Sequence, residues 1–438
     1  MMMTTISPRQ VARLALLPMM MLLALMTMQP PARALEQPPA VKLLLDFLRI
    51  ELSVQPKVGR ITHAENGDIV LHDVVFAEVR KNDRPLLKVQ ARAITLQAPA
   101  VQDGLMHYRQ ITVDALRFDI ATNKAEGNAV IRVPRLLMAQ ASILPREAAT
   151  TPQEKLAASQ LLASAISIPE VRVELPGVSA FSWRGINGTW EGNRRTGEGR
   201  TKLNMGRAQV PLAEILSRPE EVAALRQLGL TTLNLSGMMD STSTWRADQH
   251  LVSSGSLRLA AREAGALSVT LDGLAVPLAL IQRGQEMNRA LRQQGQPGAG
   301  GGLPGQPNRM PGQAFLNDPQ FAAAMRTLTL NGFEVRWQDF GLTRRLIAWE
   351  AQRRGMTEEE YIADALQRAQ AQWGTLLPPA LAQRIVRELG HFLQDPKSLR
   401  FSFRGVAGQP IQLAGLTMLL FMPQMVMQSV QVEVKANE

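Results

Sequence analysis

Val269-Thr-Leu-Asp-Gly-Leu-Ala-Val276 recurs in its pattern as Ile111-Thr-Val-Asp-Ala-Leu-Arg-Phe118 and as Leu328-Thr-Leu-Asn-Gly-Phe-Glu-Val335. The shared form is apolar, Thr, apolar, Asp or Asn, Gly or Ala, apolar, any, apolar. Alternation with period two predicts a half-buried strand. The small residue shifts the apolar positions by one, so the buried face changes parity there. A pleated strand can do that only through a bulge, kink or tight turn, where Gly is tolerated best. No catalytic group is embedded in the pattern.

Outward from these stretches, residues 48–120 read as long strands with short connections. Asp68 to Val79 is followed by a turn at Lys81-Asn-Asp-Arg84. Leu87, Val89 and Ala91 then alternate with polar residues, and the apolar parity flips before Ile94 and Leu96. An antiparallel meander is the expected arrangement. Ala40 to Leu48 predicts a short helix with Val41, Leu44, Leu45 and Leu48 on one face.

A second feature accompanies the first. Ile131-Arg-Val-Pro134, Gln209-Val-Pro-Leu-Ala213 and Ala275-Val-Pro-Leu-Ala279 each predict a strand that ends at Val-Pro and a helix that follows. Proline has no N–H for a ladder, and its fixed φ suits a first helical turn. The expected helices run from Thr151 to Leu162 (opened by the capping box Thr151-Pro-Gln-Glu154), from Pro211 to Leu228, and from Pro277 to about Arg292. Residues 293–313, rich in Gly, Pro and Gln, read as a flexible loop, and Asp318-Pro319 as the start of a helix to Arg326. Three further helices are expected at Leu342 to Arg354, Glu358 to Trp373 and Pro379 to Leu393, the second capped by Thr357-Glu-Glu-Glu360. Strands return at Ser398 to Arg404, Ile411 to Met418 and Val430 to Val434.

The chain has 438 residues, 45% hydrophobic and 20% charged, as expected for a folded protein. Its N-terminus reads as a secretory signal: basic Arg9 and Arg13, an uncharged apolar run from Leu14 to Met28, and an Ala32-Arg-Ala34 cleavage motif. The alternative is an uncleaved inner-membrane anchor, but Pro18 interrupts the run, which is shorter than the ~20 residues a spanning helix needs. The absence of cysteine excludes thiol catalysis and cysteine-ligated zinc. The net charge is +10; removing a segment with Arg9, Arg13 and Arg33 and no acid leaves +7. That excess suits an anionic lipid surface and equally suits simple solubility. Spread-out basic residues and 5% aromatics argue against nucleic acid.

Sites of chemistry are sparse. The five histidines form neither an HExxH motif nor a metal-ligand spacing, although His72 and His107 could meet across strands. No nucleophile elbow, S-x-x-K pair or phosphate loop is present. Asp68 with Asp73, and Asp114 with Asp119, are acids near strand kinks that turn and solvent roles explain. No catalytic, metal or cofactor residues are assigned. Arg344, Arg345, Arg353 and Arg354 make a basic helix face that could contact anionic lipid or an acidic partner, or could be a solvated face complementing the helix dipole. Met418, Phe421, Met422 and Met425 form an adaptable apolar surface that could hold acyl chains, or ordinary core.

Three stretches, Gly67 to Val75, Pro85 to Leu96 and Ile111 to Phe118, together resemble the AsmA-like envelope proteins of Gram-negative bacteria. The resemblance covers roughly residues 60–120 and returns in single strands later. It implies long curved sheets with an apolar groove for lipids, and it supplies no catalytic motif. The chain departs from that family's pattern in its cleavable signal, its Val-Pro helix insertions and its helical C-terminal third.

The expected fold class is α+β, mainly an antiparallel, curved or bulged β-sheet with strand–Pro–helix units and a helical C-terminal insertion. The expected segments are a signal peptide at 1–34, an N-terminal β module at 35–150, a β/α module at 151–292, a flexible loop at 293–318 and a C-terminal β module with three helices at 319–438. The expected function is non-enzymatic: a periplasmic protein that binds or transfers phospholipid through an apolar groove. The alternative is a structural adaptor docking an envelope protein through its C-terminal helices.

Overall fold

The computed structural model describes residues 38–51, 56–81, 84–121, 128–158, 160–216, 218–294, 323, 326–413 and 430–438. Its strands are β1 (Arg60–His63), β2 (Ile69–Lys81), β3 (Arg84–Gln97), β4 (Ala100–Gln102), β5 (Leu105–Ala121), β6 (Asn128–Ile143), β7 (Leu161–Glu174), β8 (Phe181–Asn193) and β9 (Glu198–Val210). They continue as β10 (Leu233–Trp245), β11 (His250–Ala261), β12 (Gly265–Pro277), β13 (Thr329–Leu330), β14 (Gly332–Asp339), β15 (Ser398–Gly405), β16 (Ile411–Gln412) and β17 (Val430–Ala436). All belong to one sheet and pair antiparallel with their chain neighbours, so the chain forms a single long meander. Strand β4 prolongs β3, β13 runs into β14, and β16 prolongs β15. The sheet is open and curved, and the fold is α+β as expected.

The parity flips line up across the sheet. The register places Arg92 opposite Asp73, and Ala115 opposite Arg92. Pro134 lies opposite Ala115, Gly185 opposite Pro169, and Gly206 opposite Gly185. Asp73, Ala115, Gly185 and Gly206 all have positive φ, at 51°, 51°, 76° and 68°. At this row the buried positions change from Ile69 and Leu71 to Val74 and Phe76 in β2, and from Ile111 and Val113 to Leu116 and Phe118 in β5. A left-handed residue rotates the following pleat, so both halves of the strand present apolar side chains to one face. The aligned kinks therefore crease the sheet from β2 to β9 and keep its apolar side chains on one core.

The crease also explains why Pro134 does not end its strand. Val-Pro134 was expected to close a strand, yet β6 runs straight through it. Ladder pairing between β6 and β7 lapses from Arg132↔Arg172 to Leu137↔Ser167, so Pro134 and Pro169 sit where no ladder bond is lost. A second crease crosses at Ala98 and Gln140, whose φ values are 43° and 45°. There Asp68 Oδ1 accepts from the Ala98 N–H at 3.0 Å, and the Arg194 guanidinium donates to Gln140 O at 2.7 Å and to Ser142 Oγ at 2.8 Å. Of the repeated stretches, Ala115 and Gly273 (φ 60°) are left-handed; the third copy breaks instead at Asn331, between β13 and β14.

Eight helices accompany the sheet among the described residues: α1 (Pro39–Glu51), α2 (Pro152–Ala157), α3 (Leu212–Ile215), α4 (Pro219–Gln227), α5 (Leu278–Gln294), α6 (Leu342–Arg354), α7 (Glu358–Leu376) and α8 (Pro379–Gln394). The α1 residues Val41, Leu44 and Leu48 are buried in a core that runs from β2 to β9, and Tyr108 Oη donates to Ala40 O at 2.8 Å. Helix α2 is shorter than expected and hands over to β7 by Leu161, although its capping box forms as read. The helix expected after Pro211 is split into α3 and α4, because Pro219 forces Arg218 into an extended conformation. The helices expected after Pro277 and in the C-terminal third form at the positions read from sequence, including the Thr357 capping box. The sheet pairing continues across residue 150, joining β6 to β7. The helix expected at Pro319 to Arg326 and the loop at 293–318 lie almost wholly outside the described residues.

Candidate functional site

Beyond β8 the core-side face stays apolar but loses its cover. Direct cross-strand partners place Leu203, Met239, Leu257, Val269, Val335 and Phe401 in one straight row through β9, β10, β11, β12, β14 and β15. Leu271, Phe333 and Phe403 continue the next row on the same side. Partners directly opposite in a ladder point to the same face, as do residues two apart along a strand. All of these side chains are half-buried, and Leu267 in the adjoining row is 37% exposed. Strand spacing of about 4.8 Å gives the six-strand row a length of about 24 Å.

Three packed clusters bound this floor. The core completed by α1 ends at β9. At the C-terminal edge, Leu381 and Ile385 of α8 and Trp373 of α7 cover Val430, Val432 and Val434 of β17 together with Phe401 and Phe403. At one end of the strands, α4 and α6 pack Leu225, Leu342 and Trp349 against Leu233, Ala261 and Trp337. At the opposite end α5 leaves β12 and reaches α2. Leu203, Met239, Leu257, Val269, Leu271 and Val335 belong to none of these clusters.

The opposite face is polar and carries cross-strand ion pairs. Arg200 pairs with Asp240 at 2.5 Å and holds its carboxyl below the usual carboxylate range. Arg132 pairs with Glu174 at 3.0 Å, and Arg135 with Asp114 at 3.0 Å. The sheet thus has one wet, charged face and one apolar face that is only partly filled.

The basic helix face read from sequence is mostly spent on internal bonds. Arg345 donates to Leu228 O and Glu263 O, closing the C-terminus of α4 and the β11–β12 turn. Arg353 pairs with Glu350 at 2.7 Å and lies over the Trp349 ring at 5.3 Å. Arg354 pairs with Glu350 and Asp364 and lies over Tyr361. Arg344 alone of the four is exposed and without an ion-pair partner among the described residues. Met418, Phe421, Met422 and Met425 lie outside the described residues.

Three of the four acids near the kinks are accounted for locally, and Asp73 is itself the left-handed residue of β2. Asp68 accepts from Asn66 and Ala98, Asp114 from Arg135, and Asp119 from Arg117. His72 and His107 do not meet: the row through His72 reaches Ala93 and then Asp114, whereas His107 pairs with Ala100 and Ser142. Among the described residues no group of His, Asp and Glu is arranged to hold a metal ion, and no helix is long and apolar enough to cross a membrane.

The central floor was not singled out in the sequence. The alternation Leu257-Arg-Leu259 and Leu267-Ser-Val269-Thr-Leu271 predicts apolar strand faces, but whether a face is covered depends on helices far away in the chain.

A family model described as "Uncharacterized protein" matches residues 258–437, a span that opens within β11 and includes the C-terminal half of the floor and α6 to α8. No curated protein matches the chain.

Proposed function

We propose that this is an exported, non-enzymatic lipid-handling protein of the bacterial envelope that holds phospholipid acyl chains on the apolar face of its sheet. The observation that carries this reading is the row from Leu203 to Val335: half-buried, apolar and outside every packed cluster. At about 19 Å across five strands it exceeds the ~15 Å of one leaflet of a ~30 Å hydrocarbon core, so a whole acyl chain fits along it. Each methylene withdrawn from water contributes about 0.8 kcal/mol. A periplasmic location, reached through the leader at residues 1–34, and the AsmA-like resemblance of residues 60–120 agree with this reading.

The test is to export the protein with its own leader, purify it without detergent, extract it and weigh the extract by mass spectrometry. We expect bound phospholipid near one per chain. A variant with Leu257→Asp and Val269→Asp, which face each other directly, should lose it while keeping its circular dichroism. Lipid-free wild-type protein, or a double variant that still carries lipid, would sink the proposal.

The adaptor reading keeps one specific observation in its favour. A groove of about 770 Å³ lies between α8 and the edge strand β17, lined by Leu381, Arg384, Arg387, Gln431 and Val432. Arg384 and Glu388 already bond Val432 O and the Ala436 N–H, which shields part of that edge. An envelope protein bound there would be released by Arg387→Glu with lipid content unchanged.

A further inference from the structure

The end of the sheet where α4 and α6 meet carries exposed apolar and basic side chains that neither the core nor the floor uses. Phe340 is 43% exposed and Leu346 is 37% exposed, one just before and one within α6. Arg344 lies between them in the chain. The Phe340 N–H donates to Ala264 O at 3.1 Å, which brings Arg262 on the β11–β12 turn to the same tip. Arg345 ties in the end of α4 through Leu228 O, two residues after Arg226. Arg226, Arg262 and Arg344 are all exposed, and none has an ion-pair partner among the described residues.

The acids nearby are already committed. Asp339 accepts from the Gly341 and Thr343 N–H groups. Glu263 accepts from the backbone and side chain of Asn234, and Glu350 is held by Arg353 and Arg354. Glu221 pairs with Arg218 at the far end of α4. Arg226, Arg262 and Arg344 therefore add exposed positive charge, in no ion pair among the described residues, to a tip that also exposes Phe340 and Leu346.

We propose that this tip docks on the surface of an anionic lipid bilayer. Guanidinium groups meet phosphate headgroups in a bidentate manner, and Phe340 and Leu346 enter the boundary between headgroups and acyl chains. The net charge of +7 that remains once residues 1–34, with Arg9, Arg13 and Arg33, are removed favours the same encounter at longer range. The same cluster of α4 and α6 adjoins the floor through Trp337, whose row includes the exposed Leu267, so docking here would place the open apolar face next to the membrane. Docking does not depend on whether the floor holds lipid.

The experiment is vesicle flotation of the full mature chain with phosphatidylcholine vesicles, with and without about one-third phosphatidylglycerol. We expect binding to the anionic vesicles only, falling as salt rises from about 0.05 to about 0.3 M. Arg226→Gln, Arg262→Gln and Arg344→Gln combined should lower partitioning about a hundredfold, at roughly fivefold per charge. The matching triple Lys variant should retain most of it, which separates charge from a folding role. Phe340→Ser with Leu346→Ser should weaken binding with an unchanged circular dichroism spectrum. Equal binding to neutral vesicles, or a triple Gln variant that binds like wild type, overturns the proposal. Lipid content of the purified protein, measured in parallel, reads the floor separately from the tip.

Discussion

Gly206 offers the sharpest test of the creased sheet. It sits in β9 opposite Gly185 with φ 68°, and a Cβ built there would lie 1.9 Å from Arg184 O. Gly177 has nearly the same backbone, φ 72°, but a Cβ there would meet nothing within 4 Å. Changing each to Ala separates two costs. The left-handed conformation costs an L-residue about 1–2 kcal/mol, and the stiffer unfolded chain returns about 0.4–1 kcal/mol. Gly177→Ala should therefore destabilise by about 0.5–1 kcal/mol. Gly206→Ala bears the same term plus a backbone overlap that must be relieved by moving β8 away from β9, which adds about 1–3 kcal/mol. We expect about 2–4 kcal/mol in total, read from urea denaturation followed by circular dichroism, with both variants run side by side. Equal losses would mean that the strands are not pressed together at this row, and the aligned crease would have to be abandoned.

Other outcomes follow from single contacts. Tyr108→Phe removes a buried hydroxyl whose bond to Ala40 O at 2.8 Å pins α1, and should cost about 1–2 kcal/mol in the same assay; a neutral result would show that α1 docks by packing alone. Burial also pushes the Tyr108 phenol above its ordinary value, so its ultraviolet phenolate signal should appear only with alkaline unfolding. Glu154 is held at about 2 by the Arg195 guanidinium, the Thr150 hydroxyl and the Thr150 and Thr151 N–H groups. Its folded value lies below the unfolded one, so its contribution is full above about pH 4.5 and is lost as pH falls through about 2; Arg195→Met should flatten the stability curve in that window, and an unchanged curve would refute the coupling. Arg345→Ala should cost about 2 kcal/mol because two carbonyls lose a charged donor, whereas Arg344→Ala should stay within about 0.5 kcal/mol, and matched losses in thermal melts would contradict the division of roles between them.

Local pattern was enough for the elements. The apolar faces of α1 and α7, the capping boxes at Thr151 and Thr357, and the period-two strands are short-range signals, and they form where the side chains require them. The parity flip at Ala115 and Gly273 was also legible, because only a left-handed residue or bulge can keep one face apolar across it. Pro134 misled for the same local reason: a proline in a strand reads as its end, unless the neighbouring strands have already given up the ladder bond at that row. That depends on Ala115 and Pro169, which lie on other strands.

Sequence alone therefore determined the alternation, the kinks at Ala115 and Gly273 and most helix starts, since each is fixed by residues a few positions apart. Tertiary structure decided what those features add up to. Register between strands aligned separate kinks into one crease, and helices from residues 39–51, 219–227 and 342–394 decided which part of the apolar face was covered. The stretch from Val269 to Val276 shows both sides: its own residues specify the kink at Gly273, but only the row from Leu203 to Val335 makes Val269 part of an open floor. Exposure of a side chain is a property of what packs over it, and for this face the covering elements are encoded far from the strands they cover.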